Sequence, residues 1–333
     1  TEETVPLYYN GQVMIWGRNA FNTIADAEAA LVYPEVYSVK IVSGTFNEAL
    51  TGIAGGRTFT IDNAAAVSSI DTTNGAVKVV INTANFGDIA AGTAKVALTV
   101  DAELPAEGLT ISASSDGFAA YTLNGDVYLT RLSGNAYYDA TYTADITGTT
   151  DSHSGEILVY GVNAFSPLND AIAKTATEKD LYVYNYSGRF ERNNTDHVSV
   201  YFYGGSLDPV KTSYAGRIDD RPVANSDITI GVYGAARFSD DGDFALLGKS
   251  TYVSDDASSN VRFNGKVNVE VIGTEDKYTD IGRLVLGDHL RLEQGYNVSL
   301  KYCNVVGDLN AISGDSQIRG GTVNITLDHV TMN

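Results

Sequence analysis

Residues 13–46 and 157–190 of this chain align without a gap at an offset of 144. Gly17 falls on Gly161, Asn19-Ala20-Phe21 on Asn163-Ala164-Phe165, and Asp26-Ala27 on Asp170-Ala171. Val39 falls on Val183, Ser43-Gly44 on Ser187-Gly188, and Phe46 on Phe190. Register kept across so many residue types marks an internal duplication, and whatever the unit folds into must form twice. Two related subdomains follow, over 1–150 and 151–333.

Each copy reads as strand, turn, short helix, loop and strand. The leading strand is Val13–Trp16 or Ile157–Tyr160, closed by Gly17 or Gly161. Asn22 and Ser166 are placed to cap helices near 20–31 and 166–176, with Pro167 at the first helical position. Phe21, Ile24 and Leu31 give an apolar stripe at helical spacing, as do Phe165, Leu168 and Ile172. A strand then runs over 37–42 or 181–186 into Ser-Gly-x-Phe. Strand, crossover helix, strand is the order that permits parallel pairing.

Beyond the second copy the chain alternates apolar and polar residues. Predicted strands are Val198–Phe202, Ile228–Val232, Val267–Val271, Val298–Tyr302 and Val323–Leu327, starting 30, 39, 31 and 25 residues apart. Period-2 strands at such intervals suit the coils of a solenoid, each burying one face on its neighbours, and a parallel β-helix fits this mainly β pattern. Segment 51–150 is strand-rich with turns such as Leu123-Asn124-Gly125-Asp126, and reads either as an antiparallel β-domain or as irregular first coils. Val323–Leu327 is a good strand close to Asn333, which reads as a fragment covalently part of a longer chain.

Composition narrows the partners. With 22 basic against 41 acidic residues the formal charge is −19, a field that repels nucleic acid and anionic lipid. No apolar run is long enough to span a bilayer, so membrane insertion is not expected. Cys303 has no second cysteine to pair with, and its alternating strand implies burial.

The x-Asn-Ala-Phe-x-x-[Leu/Ile]-x-Asp-Ala unit followed by Ser-Gly-x-Phe, the alternating Val-rich rungs, and the stretch Thr93–Leu132 resemble right-handed parallel β-helix proteins, in particular bacterial autotransporter passengers and other cell-surface adhesins. The resemblance covers about three-quarters of the chain and is one of pattern. It implies an extracellular or surface-displayed module that binds a glycan or a host or bacterial surface protein, or a ligand-free stalk. It transfers no functional residue.

The same architecture hosts polysaccharide lyases and glycoside hydrolases, which need calcium-binding Asp clusters with a basic residue, or two carboxylates about 5–10 Å apart. The acidic clusters are Asp240, Asp241 and Asp243, then Asp255-Asp256, and Asp219-Asp220 beside Arg221. None has the spacing of a defined calcium loop, so Asp240, Asp241 and Asp243 are only a candidate Ca2+ set. No other cofactor is expected, and no catalytic residue is nominated. Asp-His pairs occur at 196–197, 288–289 and 328–329, but strand neighbours point to opposite faces. Tyrosines carry the binding hypothesis. Alternation puts Tyr182, Tyr184 and Tyr186 on one face of their strand and Tyr201 and Tyr203 on the outer face of the next. If those strands are neighbours, the five form an aromatic patch. The first copy has Ser38, Lys40 and Val42 at the positions of Tyr182, Tyr184 and Tyr186.

Overall fold

The computed structural model describes residues 7–9, 11–31, 38–85, 93–100, 108–194, 196–215, 226–239, 242–249, 261–263, 265–288, 290–310, 317–318 and 321–333. These form a mainly β protein built on parallel sheets. The chain divides into two compact units, Thr1–Ser133 with Thr147–Val159, and Gly134–Ile146 with Tyr160–Asn333. The division therefore does not run at a single point near residue 150: Gly134–Ile146 folds with the second copy, and Thr147–Val159 with the first.

In the first unit the chain visits two sheets in turn. Ser38–Ile41, Arg57–Ile61, Val77–Ile81 and Leu109–Ala113 pair in parallel, in that order. Gly44–Thr51, Ala65–Asp71 and Thr93–Thr99 form the other sheet, also parallel, and each falls between two strands of the first. Period-2 alternation sends Val39, Ile41, Phe59, Ile61, Val79 and Ile81 inward, where they meet Leu50, Val67 and Leu98 from the facing sheet. The second sheet ends in an antiparallel hairpin, Phe118–Leu123 with Asp126–Arg131. Its turn, Asn124 (φ 51°) and Gly125 (φ 81°), uses two left-handed residues, as a two-residue hairpin with this twist requires. Segment 51–150 thus combines both expected arrangements: parallel passes, then one antiparallel closure.

The second unit carries a longer parallel sheet: Ala136–Asp139, Asp180–Tyr184, Ser199–Tyr203, Ile228–Tyr233, Val267–Ile272, Gly295–Val305 and Thr322–Met332. A second sheet holds Gly188–Asn193, Ser206–Ala215, Asp243–Lys249, Arg283–Asp288 and Leu309–Asn310, again parallel. A third begins at Val261–Phe263 and continues with Leu290–Leu292 and Gln317–Ile318. Each of the five strands expected after the second copy is present; the Val, Ile, Leu and Phe residues of the first four make one core, against which Val323 of the fifth packs, while Ile325 and Leu327 are exposed. Asparagines cross-link its later strands: Asn324 donates to Asn297 and Asn297 to Asn268, each at 2.8 Å. In-register parallel strands make such ladders possible, because identical positions stack one strand spacing apart.

The duplicated segment folds alike in both places, with two corrections to its expected form. Helices Ile24–Ala29 and Leu168–Lys174 form, but each starts one residue later than expected. Thr23, not Asn22, caps the first by accepting from Asp26 N–H at 3.1 Å. Pro167 itself is the cap residue of the second, so Ser166 lies outside it. The leading segment is no parallel strand either. Gly17 (φ 72°) and Gly161 (φ 77°) turn the chain back at once, each donating to the carbonyl three residues on, Ala20 or Ala164, at 2.9 Å. Across that left-handed turn Trp16 and Tyr160 make isolated parallel bridges to Ala20 and Ala164, while just before it Gln12–Met14 pairs antiparallel with Leu7–Tyr9 and Ile157 bridges Thr150 antiparallel.

Candidate functional site

Parallel, in-register pairing of Asp180–Tyr184 with Ser199–Tyr203 sets Tyr182 beside Tyr201 and Tyr184 beside Tyr203. Leu181, Val183, Val200 and Phe202 take the inward positions and are fully buried. Outward rings on neighbouring strands are then held about 4.8 Å apart by the backbone, a spacing that favours face-to-face stacking. Ring centroids lie 5.2 Å apart for Tyr182 and Tyr201, and 5.5 Å for Tyr184 and Tyr203.

The row extends further than those four. Tyr137, on the preceding strand, stacks on Tyr182 at 5.0 Å with only 11° between the planes. On the following strand Gly231 pairs with Tyr201, and Tyr233 with Tyr203. A Cβ on Gly231 would fall 2.3 Å from ring atoms of Tyr233, so the glycine is what lets that ring lean across. Tyr233 stacks on Tyr203 at 5.2 Å and reaches Tyr201 at 6.3 Å. Six rings therefore form an unbroken path, 137–182–201–233–203–184. All but the buried Tyr137 are half-buried.

Tyr186 is not part of it. Asn185 adopts a left-handed conformation (φ 51°), which ends the alternation that would have put Tyr186 beside Tyr184. Its ring instead meets Tyr138 edge-on at 5.8 Å, and its hydroxyl donates to the Arg189 carbonyl at 2.9 Å.

Carboxylates flank the row. The Tyr233 hydroxyl donates to Glu270 Oε2 at 2.6 Å, and that of Tyr182 to Asp180 Oδ2 at 3.4 Å. Burial, then the adjacent Glu270, raise the Tyr233 pKa well above that of an ordinary phenol. Burial, then Asp180, raise that of Tyr201. Burial also raises the Asp180 carboxyl. The Tyr201 and Tyr233 phenols therefore hold their protons and act as neutral groups.

A second feature lies on the sheet of Gly188–Asn193 and Ser206–Ala215. There a surface trough of about 400 Å³ is lined by Arg189, Glu191, Lys211, Asp243, Arg283 and Asp308, three cations against three carboxylates. Glu191 pairs with Arg189 and, at 4.0 Å, with Lys211; Asp243 pairs with Arg283 at 3.4 Å. Of the calcium candidates, Asp243 is thus engaged by an arginine, while Asp240 and Asp241 lie outside the described residues, as do Asp219, Asp220, Asp255, Asp256 and His289. Among the described residues no three His, Cys, Asp or Glu side chains gather to hold a metal ion. No helix among them is long and apolar enough to cross a membrane. Cys303 is buried, its Sγ 3.2 Å from the carbonyl oxygens of Val271 and Lys301, and burial pushes its thiol up to about 11.

Tyr137 and Tyr233 escape a reading of the two Tyr-rich strands alone. Tyr233 was within reach, since Thr229, Gly231 and Tyr233 share the outward parity of their strand. Tyr137 needs the pairing of Ala136–Asp139 with Asp180–Tyr184 across 40 residues of intervening chain, from 140 to 179, which no local pattern announces. Compared with known protein families, curated proteins and solved structures, the chain matches none.

Proposed function

We propose that this chain is a right-handed parallel β-solenoid, displayed outside the cell or on a bacterial surface, that binds a glycan or a surface protein through its tyrosine row and performs no catalysis. The solenoid reading is supported by the order of the strands: in each unit the chain passes repeatedly between sheets and returns to add parallel strands to them, with an antiparallel hairpin ending one sheet of the first unit. One observation carries the binding reading, the half-buried stack of Tyr182, Tyr201, Tyr233, Tyr203 and Tyr184. A stack fixed by the backbone is rigid before binding, so little side-chain freedom is lost on contact.

Ring faces are spent on one another, and the hydroxyls of Tyr182, Tyr201 and Tyr233 are engaged by neighbouring polar side chains, so the row meets a partner with ring edges backed by a hydrogen-bonded polar network. That favours hydrogen bonding to a flat, hydroxyl- or amide-rich partner over stacking of sugar rings on aromatic faces. The trough suits catalysis less well, because Glu191 and Asp243 are each held by cations.

The test is binding to a glycan array and to immobilised surface proteins by the wild type and by Tyr184→Phe/Tyr203→Phe. The double variant keeps the rings and removes two hydroxyls, so the fold is retained and affinity should fall about tenfold or more. Unchanged binding refutes the role of the row. Release of reducing or unsaturated ends from a polysaccharide panel, lost in Asp243→Asn, would move the activity to the trough.

A further inference from the structure

The tyrosine row occupies only part of the outward face on which it lies. Parallel, in-register pairing carries its columns onward from Ile228–Tyr233 to Val267–Ile272 and Gly295–Val305. The column of Tyr182 and Tyr201 passes Gly231 and runs on through Glu270 and Ser299. Beside it a third column, in register with Thr229, holds Asn268 and Asn297. Alternation leaves these polar side chains half-buried while Val267, Val269, Val298 and Leu300 enter the core. The five strands from Asp180–Tyr184 to Gly295–Val305 each have a paired strand on either side, so the face lies within the sheet and not at an end of it.

The asparagines do more than tie strands together. Asn268 donates one N–H to the Ile228 carbonyl at 3.3 Å and accepts from Asn297, which accepts from Asn324 in turn. A primary amide has two N–H groups and two acceptor lone pairs, so among the described residues Asn268 and Asn297 each keep one donor and one acceptor for a partner. Charge on the face is already matched. Within the three columns Glu270 accepts from Tyr233, Asp180 accepts from Tyr182, and Lys301 pairs with Asp328 at 3.2 Å. In a chain of −19, columns without an unpaired cation repel a polyanion and complement an uncharged partner rich in hydroxyls.

Spacing selects among such partners. Equivalent sites recur at the strand spacing of about 4.8 Å, while an extended peptide advances about 3.3 Å per residue and falls out of step on crossing a strand. One pyranose of an extended, equatorially linked chain is close to one strand spacing long, so each sugar meets a strand as the sugar before it did. Resting on the binding role of the tyrosine row, we propose that the occupant of this face is an uncharged, extended polysaccharide. It crosses the strands one sugar to a strand, from the tyrosine row onto the amides of Asn268 and Asn297.

The experiment is titration calorimetry of the full chain with β-1,4-linked glucose, mannose and xylose oligomers from dimer to hexamer, and with galacturonate oligomers of the same lengths. For at least one neutral series, affinity should climb with length up to five sugars, one for each of the five strands, and then level off. The galacturonates should not bind. Asn268→Ser/Asn297→Ser should leave the trisaccharide bound as by the wild type and lower pentasaccharide affinity about tenfold, because only the longer ligand reaches the amides. A loss of fold would weaken both ligands alike, so this split isolates the asparagines. Tyr184→Phe/Tyr203→Phe should weaken both. No binding of any neutral series, a flat dependence on length, equal or tighter binding of galacturonates, or a pentasaccharide indifferent to the asparagines would each overturn the proposal. An immobilised protein bound in place of every sugar, and lost in Tyr184→Phe/Tyr203→Phe, would overturn it while leaving the role of the row intact. Sugars bound without regard to the tyrosines would refute the role of the row itself.

Discussion

The two units begin from the same duplicated segment and put nearly the same residues inside, yet their outward faces have little in common. Val39 and Val183 stand at equivalent places and are both buried, each flanked by an aromatic residue on the next strand, Phe59 or Phe202. Outside, the first unit aligns Ser38, Thr58, Lys78 and Thr110 in one column and Lys40, Thr60, Val80 and Ser112 in the next. The second aligns Tyr137, Tyr182 and Tyr201 in one, and Tyr184, Tyr203 and Tyr233 in the other. A core must fill a fixed volume between sheets, so inward residues are constrained twice over. Outward residues are constrained only by strand propensity and neighbour pairing, which threonine and tyrosine satisfy equally well. The same backbone can therefore carry a polar face or an aromatic one, and the aromatic one is where a specific use has to be sought.

The first way to break this comparison is to attack the shared inside. Phe59→Ala and Phe202→Ala each empty a fully buried ring position, and each should cost about 3–5 kcal/mol in chemical denaturation. A much smaller loss for one of them would mean that the two cores are not packed alike. The next largest effect falls on the outside of the second unit. Gly231→Ala sets a methyl 2.3 Å from the Tyr233 ring, which has to leave Tyr201, Tyr203 and its hydrogen bond to Glu270. A loss of about 1–3 kcal/mol is expected, with a change in near-ultraviolet circular dichroism from the disturbed tyrosines. An unchanged spectrum would show that the ring does not lie over residue 231.

Much of this was legible from the residues. Alternation places Leu181, Val183, Val200 and Phe202 inside and four tyrosines outside because a strand has a period of two, whatever it pairs with. Register is another matter. Nothing local tells Ala136–Asp139 to lie beside Asp180–Tyr184, so Tyr137 is found only in three dimensions. Tyr186 fails for the opposite reason. The period is extended through Asn185, whose left-handed backbone breaks it, and asparagine tolerates that conformation too often for its presence to announce the break. The antiparallel pairing ahead of the first helix is missed in a similar way, since Val13–Trp16 has strand composition and the turn that folds Gln12–Met14 back on Leu7–Tyr9 lies before it, at Gly11 (φ 77°).

The smallest effect should separate the units by pH. His197 adopts a left-handed conformation (φ 56°) in the second unit, its ring 5.1 Å from Phe263 and 5.9 Å from Tyr214. Its Nδ1 is buried without a hydrogen-bond partner. Burial lowers its pKa, although the Glu178 and Asp196 carboxylates pull the other way, and Asp196 is itself held by Arg192 at 2.7 Å. A base whose folded pKa lies below its unfolded value favours unfolding once protons become available. Stability should therefore be unaffected above about pH 7, begin to fall as the pH drops through about 6.5, and level off below the folded pKa. Asp180, whose pKa is raised by burial, acts in the opposite sense, but its window is the carboxylate range at lower pH. His197→Asn keeps a residue that tolerates the left-handed backbone and removes the titrating group, so the acid slope in thermal melts between pH 7 and 5.5 should flatten. Equal slopes in wild type and His197→Asn would remove this difference between the units, whatever the melting temperatures themselves.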